Sequence, residues 1–461
     1  MNSMEQMKLF MEPRSIAIVG VTRSTKVGSF DFLGTLLNLG FAGKIYPVNL
    51  KAGQILGLKA YPNVKVIPDD IDLAVIATPR DGVPPLVQDC VEKGIKAIIV
   101  VAQGFADADE KGKALQAQVV KIAKEGGARI IGPNTFGVAN VFLNFSTTPG
   151  VPQTGRNPIG VISQTGLFFL GLPRLKFGKI IDIGNACDID FADALAYLGD
   201  DPETKVIVLH IEGIQGGKRF LQVANRVAKK KPVIALKSGR SETGALAAQS
   251  HTGSLVGKDE VYEAAFSQCG IIRASDAEEV EDLSLAFLRL PPMKGKRLAI
   301  MSWAGGAGVF ATDACERYGL ELAKLSPATV SKISQLAPPW LRIHNPVDLW
   351  ASIGLIFVDP QSFKKRIQIV LEALLAEENA DAVMAVAPDF VGMFGEPGDI
   401  SSLFLDITET LEHRPLIFAT SGAPGKFIAK IEQGNRMVVF PSPERGVRAL
   451  ARMWSYTQRL K

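Results

Sequence analysis

Short, uninterrupted apolar runs recur along the first third of the chain: SIAIVG at 15–20, KIYPVN at 44–49, LAVIATP at 73–79, KAIIVVAQGF at 96–105 and RIIGPN at 129–134. Val/Ile runs of this length without polar alternation predict parallel strands covered on both faces by helices. A Rossmann-like, doubly wound domain over residues 1–140 is the expected result. The pattern repeats in NPIGVIS at 157–163, KIIDIGN at 179–185, KVIVLHIEG at 205–213 and PVIALKSG at 232–239, while FADALAYL at 191–198 and FLQVANRVAKK at 220–230 carry helical spacing. A third set opens with RLAIMSWAGGAG at 297–308 and continues through DAVMAVAP at 381–388 and PLIFATSG at 415–422. GVISQTGLF at 160–168 and AIMSWAGGAGVF at 299–310 share one plan, an apolar strand, a serine and a small-residue turn into a helix. The fold class is therefore α/β. A Rossmann-like module is followed by two related flavodoxin-like modules at 150–290 and 296–461, with PPMKGKR at 291–297 as the linker.

Composition narrows the class. A length of 461 residues suits two to three domains, and 44 glycines with 27 prolines fit a chain with many β-α turns. The net charge is only +4 and the basic residues are scattered, which argues against a nucleic-acid face. Cys90, Cys187, Cys269 and Cys315 are far apart, so neither a disulfide framework nor a zinc site is expected. The opening MNSMEQMKLFMEPRS has no apolar signal core, and no run reaches the ~18 apolar residues of a membrane span. A cytoplasmic protein without membrane or metal is expected.

The first βα turn, Gly20 to Ser29, lies where a Rossmann domain binds pyrophosphate, yet it lacks Gly-x-Gly-x-x-Gly. Thr22, Arg23, Ser24 and Lys26 instead offer hydroxyls and cations to a phosphorylated ligand; a polar turn that merely caps a helix has the same composition. PVNLK at 47–51, ATP at 77–79 and QGF at 103–105 would fall at the carboxyl ends of successive strands, the ligand-binding edge of such a sheet.

Four histidines are present. His210 lies in a strand-like run and His413 in a helical one, which favours structural roles, and His344 sits ambiguously in a Pro-rich turn. His251 stands in AAQSHTGSLVG, among Ser, Thr and Gly, a setting that suits a nucleophile serving two reaction centres and equally a plain surface histidine. Glu212 ends the strand before the last strand of its module, where a carboxylate could orient the His251 imidazole; the alternative is a solvated strand end. Ser163-Gln164-Thr165-Gly166 is a strand-to-helix turn of the kind that binds phosphate, or an ordinary Ser cap.

With these residues in view, the sequence resembles the α subunits of ADP-forming (NDP-forming) acetyl-CoA and acyl-CoA synthetases, in the succinyl-CoA synthetase superfamily. The likeness runs through NPIGVISQTG, DIGNACDIDFADALAYLGDDPETKVIVLHIEG, KSGRSETGALAAQSHTGSL, SWAGGAGVFATDACERYGLELAKLS and NPVDL, in order over nearly the whole chain. The resemblance implies CoA binding by the first domain, through Gly20, Thr22, Arg23, Ser24, Lys26 and Gly28, then Pro47, Val48, Asn49 and Lys51, and Thr78, Pro79, Gln103 and Gly104. It implies His251 as the phosphorylated nucleophile, Glu212 as its supporting acid, and Ser163, Gln164, Thr165, Gly166 and Gly253 as the phosphate site. The implied reaction is acyl-CoA + ADP + phosphate to acid + CoA + ATP. No Gly-x-x-x-x-Gly-Lys-[Ser/Thr] loop and no ATP-grasp domain is found, so a separate β subunit is expected to bring ADP or ATP and Mg²⁺ in an α2β2 assembly.

The chain departs from the family where Leu167 replaces a glycine after the phosphate turn, a change expected to alter acyl preference. Trp303 and His344 are further departures without a functional account in the sequence. Two rival readings are a non-catalytic CoA or acyl-CoA sensor and, against the glycine spacing and the Asn49/Lys51 strand end, an NAD(P)-dependent dehydrogenase.

Overall fold

The computed structural model describes residues 3–21, 31–148, 154–166, 168–244, 257–388, 392–393, 395, 399–410, 413–420, 425–434 and 436–461. The chain divides into two compact units, one ending at Val280 and one beginning at Glu281.

The first unit holds two large sheets and a two-stranded antiparallel hairpin of Gln54–Ile55 with Leu58–Lys59. In the first, β1 (Ser15–Val19), β2 (Lys44–Val48), β3 (Leu73–Ile76), β4 (Ala97–Val100) and β5 (Arg129–Ile131) run parallel in the order β2-β1-β3-β4-β5. Every residue of β1, β3 and β4 is buried, as the unbroken apolar runs require of strands covered on both faces. The order reverses direction between β1 and β3, which creates a crevice at their carboxyl ends. Val19 pairs with Val48 and Ile76, and Ile76 with Val100, so these four strands end level. The helices on this sheet include α1 (Ser3–Met11), α2 (Phe32–Leu39), α3 (Val83–Glu92) and α4 (Glu110–Glu125).

The chain leaves the first sheet at Ile131 and enters the second through two short strands, β6 (Val138–Asn140) and β7 (Phe145–Ser146). There follow β8 (Ile159–Ser163), β9 (Lys179–Asp182), β10 (Val206–Ile211), β11 (Val233–Lys237) and β12 (Ile272–Ala274), in the spatial order β12-β11-β10-β8-β9-β6-β7. Five of these run parallel; β6 and β7 add antiparallel edge strands that the sequence pattern had not indicated. Helices α5 (Phe191–Asp200), α6 (Gly217–Ala228) and α7 (Asp259–Cys269) cover it. Helix α5 begins with a capping box: Asp190 accepts from the Ala192 and Asp193 N–H groups, and the Asp193 carboxylate accepts from the Asp190 N–H.

One expectation fails here. The turn after β8 does not open into an α-helix; the described chain forms only a three-residue 3₁₀ turn, Phe169–Gly171. Pro173 disfavours helical backbone at Leu172, which sits at φ −118°, ψ 69°, so the apolar run stops before a full α-turn forms.

In the second unit β13 (Arg297–Ser302), β14 (Glu321–Leu322), β15 (Val347–Asp348), β16 (Ala382–Val386), β17 (Leu416–Ala419) and β18 (Val438–Phe440) form a parallel sheet in the order β14-β13-β16-β17-β18, with β15 on β13. Here the matching turn does lead into a full helix, α8 (Gly305–Tyr318); α9 (Pro360–Ala376) packs on β13 and β16, and α10 (Pro443–Arg459) packs against α8.

Candidate functional site

The carboxyl edge of the first sheet carries the residues singled out for a phosphorylated ligand. Gly20 follows β1 with φ +94°, and a Cβ there would stand 2.6 Å from the Ala77 carbonyl oxygen, so both backbone geometry and space demand glycine. Asn49 braces this turn: its Nδ2 donates to the Val21 carbonyl at 2.7 Å and its Oδ1 accepts from the Lys51 N–H at 2.8 Å. Pro47 and Val48 are buried within β2, and Val48 supplies the carbonyl that receives the Gly20 N–H at 3.1 Å. They shape the turn from beneath. Lys51, Pro79 and Gln103 are exposed at the rim.

Thr78 has a buried Oγ1 with no hydrogen-bond partner among the described residues, a polar atom suited to a ligand in the crevice. Gly104 is held from both sides. Asp107 accepts the N–H groups of Gly104 and Phe105 at 3.1 and 3.0 Å, and Arg80, paired to both oxygens of Asp109, donates to the Gly104 carbonyl. Thr22, Arg23, Ser24, Lys26 and Gly28 lie outside the described residues.

The second sheet gathers a buried polar row at its own carboxyl edge. Strand register sets Ser163 of β8 beside Asp182 of β9 and His210 of β10, and Ile211 beside Lys237 of β11. The Ser163 hydroxyl donates to the Thr165 carbonyl at 2.6 Å and accepts from the Thr165 N–H at 3.1 Å, which closes the turn. Gly166 has no room for a side chain, since a Cβ would lie 2.0 Å from the Phe136 ring. Gln164 reaches across to β10: its Oε1 accepts from the N–H groups of Glu212 and Gly213 at 2.7 and 3.0 Å. Its oxygen is thus committed to fixing the backbone of Glu212, which is 5% exposed.

Charge in this row is perturbed by burial. Asp182 is pushed up to about 7, first by burial and further by the neighbouring Glu212 charge, against the N–H groups of Phe136 and Gly184 that pull it down. Lys237 is 2% exposed and burial lowers its pKa; its Nζ donates to the Ser238 carbonyl and lies 4.8 Å from the Tyr262 ring centroid. A Lys closing an apolar strand before Ser-Gly looks like a solvated end in the sequence, and only the packing of Tyr262 from α7 reveals it as a buried cation. His210 is also nearer the site than its strand setting indicated, 3.4 Å from Ser163 through Nδ1. His251, Gly253 and Leu167 lie outside the described residues.

In the second unit the Ser302 hydroxyl repeats the Ser163 arrangement on Ala304, donating at 2.7 Å and accepting at 3.2 Å, at the open start of α8. Trp303 is fully buried in the core, which gives this departure a packing role. Asn345 joins two strand ends: Oδ1 accepts from the Ile300 N–H at 2.9 Å, and Nδ2 donates to the carbonyls of Leu298 and Ala323 at 2.8 and 2.9 Å. His344 is exposed.

Residues 14–141 match the family described as a CoA binding domain, and residues 156–287 that of the succinyl-CoA ligase like flavodoxin domain. The ADP-forming acetate–CoA ligase I subunit alpha of Pyrococcus furiosus is 34% identical over 98% of this chain and 98% of that protein. The chain belongs to this α-subunit family. Its members are the CoA-binding subunits of NDP-forming acyl-CoA synthetases. The ADP-forming acetate–CoA ligase II of Archaeoglobus fulgidus is 39% identical over 81% of this chain, which spans only 56% of that longer protein. Among solved structures, acetyl-coenzyme A synthetase 1 of Ca. Korarchaeum cryptofilum, in complex with phosphate and ADP, aligns with a TM-score of 0.87 at 31% identity, covering 98% of this chain and 97% of that one.

Proposed function

We propose that this chain binds CoA along the edge of its first sheet and carries a phosphoryl group on His251, in the reversible reaction acyl-CoA + ADP + phosphate to carboxylic acid + CoA + ATP. The observation that carries this reading is the buried polar row of Ser163, Asp182, Glu212 and Lys237, set beside the strand that leads to His251.

Phosphate oxygen attacks the thioester carbonyl carbon; the C–S bond breaks and CoA leaves as thiolate, which takes up a proton. The imidazole of His251 then attacks phosphorus, the acyl C–O–P link breaks at P–O, and the carboxylate departs. Glu212 accepts a hydrogen bond from the second ring nitrogen and offsets the charge of the phosphorylated ring. Thr165, Gly166 and Gly253 hold the phosphate by hydroxyl and backbone N–H groups, and Ser163 closes the turn that presents them. With only a 3₁₀ turn behind it, the Ser163–Gly166 turn acts without the dipole of a long helix. Gln164 serves by holding the Glu212 backbone. Phosphohistidine then passes its group to ADP bound with Mg²⁺ on an ATP-grasp β subunit, within an α2β2 assembly. CoA contacts are Gly20, Thr22, Arg23, Ser24, Lys26 and Gly28 in the first turn, with Lys51, Thr78, Pro79, Gln103 and Gly104 around it.

The missing helix also favours a second reading, a CoA-binding protein without turnover. Two measurements separate the readings. Protection from heat unfolding by CoA and none by NAD is expected under both, and protection by NAD alone contradicts both. ATP formation from acetyl-CoA, phosphate and ADP with an ATP-grasp partner, lost in His251→Ala, is expected only of the enzyme.

A further inference from the structure

His210 is 6% exposed and touches two hydroxyls, one at the end of β8 and one just past β11. Its Nδ1 lies 3.4 Å from Ser163 Oγ on one side, and its Nε2 lies 2.8 Å from Ser238 Oγ on the other. The Phe168 ring stacks on the imidazole, with centroids 4.4 Å apart and planes at 18°. The Ser163 proton is directed to the Thr165 carbonyl at 2.6 Å, so this hydroxyl can only accept from the imidazole. In the neutral ring, Nδ1 therefore carries the hydrogen and Nε2 accepts from Ser238.

The two serines have different positions. Ser163 closes the turn that follows β8, whereas Ser238 is the first residue after β11 and begins the stretch of chain that runs to His251. Cross-strand register fixes the link, because His210 pairs with Ser163 on one side and with Leu236, two residues before Ser238, on the other. A core histidine needs one satisfied hydrogen bond to be tolerated. This one joins the phosphate turn to the root of the nucleophile's segment.

We propose that His210 is a positioning residue for phosphoryl transfer: through Nδ1 it sets the phosphate turn, and through Nε2 it anchors the start of the His251 segment. This rests on the function proposed above. Asn places its amide nitrogen near Nδ1, Gln places its amide near Nε2, and Phe keeps the aromatic stack without either contact. The experiment uses the chain with its ATP-grasp partner, acetyl-CoA, labelled inorganic phosphate and no nucleotide, following phosphate KM, the rate of labelling and thermal stability. His210→Phe is expected to raise phosphate KM about tenfold and slow labelling about tenfold, with CoA protection unchanged. His210→Asn should recover most of the KM and little of the rate; His210→Gln should recover the rate and little of the KM. Variants that share wild-type KM and rate, or that lose both in parallel with stability without any split, overturn the proposal. A wild-type complex that takes up no label at all overturns the phosphohistidine reading instead, and the two failures are thereby distinguished.

Discussion

Glu212 and Asp182 share one buried row but are held in different ways. Two backbone N–H groups fix Glu212 through Gln164, whereas Asp182 is raised to about 7 chiefly by burial. Glu212→Gln keeps the shape and removes the charge proposed to support the phosphorylated imidazole. It is expected to slow phosphohistidine formation on the order of a hundredfold, with CoA binding unchanged, as read by single-turnover labelling. Asp182 holds its proton in the folded chain up to about pH 7, while the unfolded group releases it near 3.8. Between those values the native state binds more protons, so this group's contribution is complete below the lower value and is lost as pH rises through the upper one. Asp182→Asn should remove that loss: relative to wild type the variant gains a few kcal/mol between about pH 5 and pH 8 in urea unfolding. An equal difference at both pH values contradicts the assignment. His251 could be singled out in the sequence because its neighbours are small and polar. His210, Lys237 and Asn345 could not, because their roles arise from contacts with residues distant in the chain.

Among the elements, the parallel strands were legible because both faces are buried and their Val/Ile runs are unbroken. Strands β6 and β7, of three and two residues, are too short to show a period. The strand, serine and small-residue turn shared with the second unit point to a helix after Ser163, but Pro173 acts on the backbone of the residue before it. The joint between the two sheets of the first unit is electrostatic as well as apolar. Arg129 in β5 donates to Asp188 at 2.8 Å and Asp193 at 3.1 Å, ahead of and within the first turn of α5, and both carboxylates are nearly fully buried. Arg219 still serves Asp193 when Arg129 is removed, so the loss falls mainly on Asp188. Arg129→Ala is expected to cost about 3 kcal/mol in urea unfolding. A cost below about 1 kcal/mol, the level of a surface pair, contradicts this account.

The whole chain combines a CoA-binding module and a succinyl-CoA ligase like module in one compact unit with a third α/β sheet in another. The fold class and the family could be read from ordered motifs in the sequence; the buried polar row could not, since it exists only once four strands stand in register. Among the described residues no helix is long and apolar enough to cross a membrane. In the proposed reaction this chain binds CoA and captures phosphate, and a partner subunit brings the nucleotide. Its central claim is the covalent intermediate on His251. The most direct measurement is to incubate the chain and its ATP-grasp partner with acetyl-CoA and labelled phosphate without ADP, then map the label by peptide mass. An acid-labile, base-stable phosphoryl group on His251, discharged on adding ADP, is the predicted result; label absent from wild type, or persisting in His251→Ala, would contradict it.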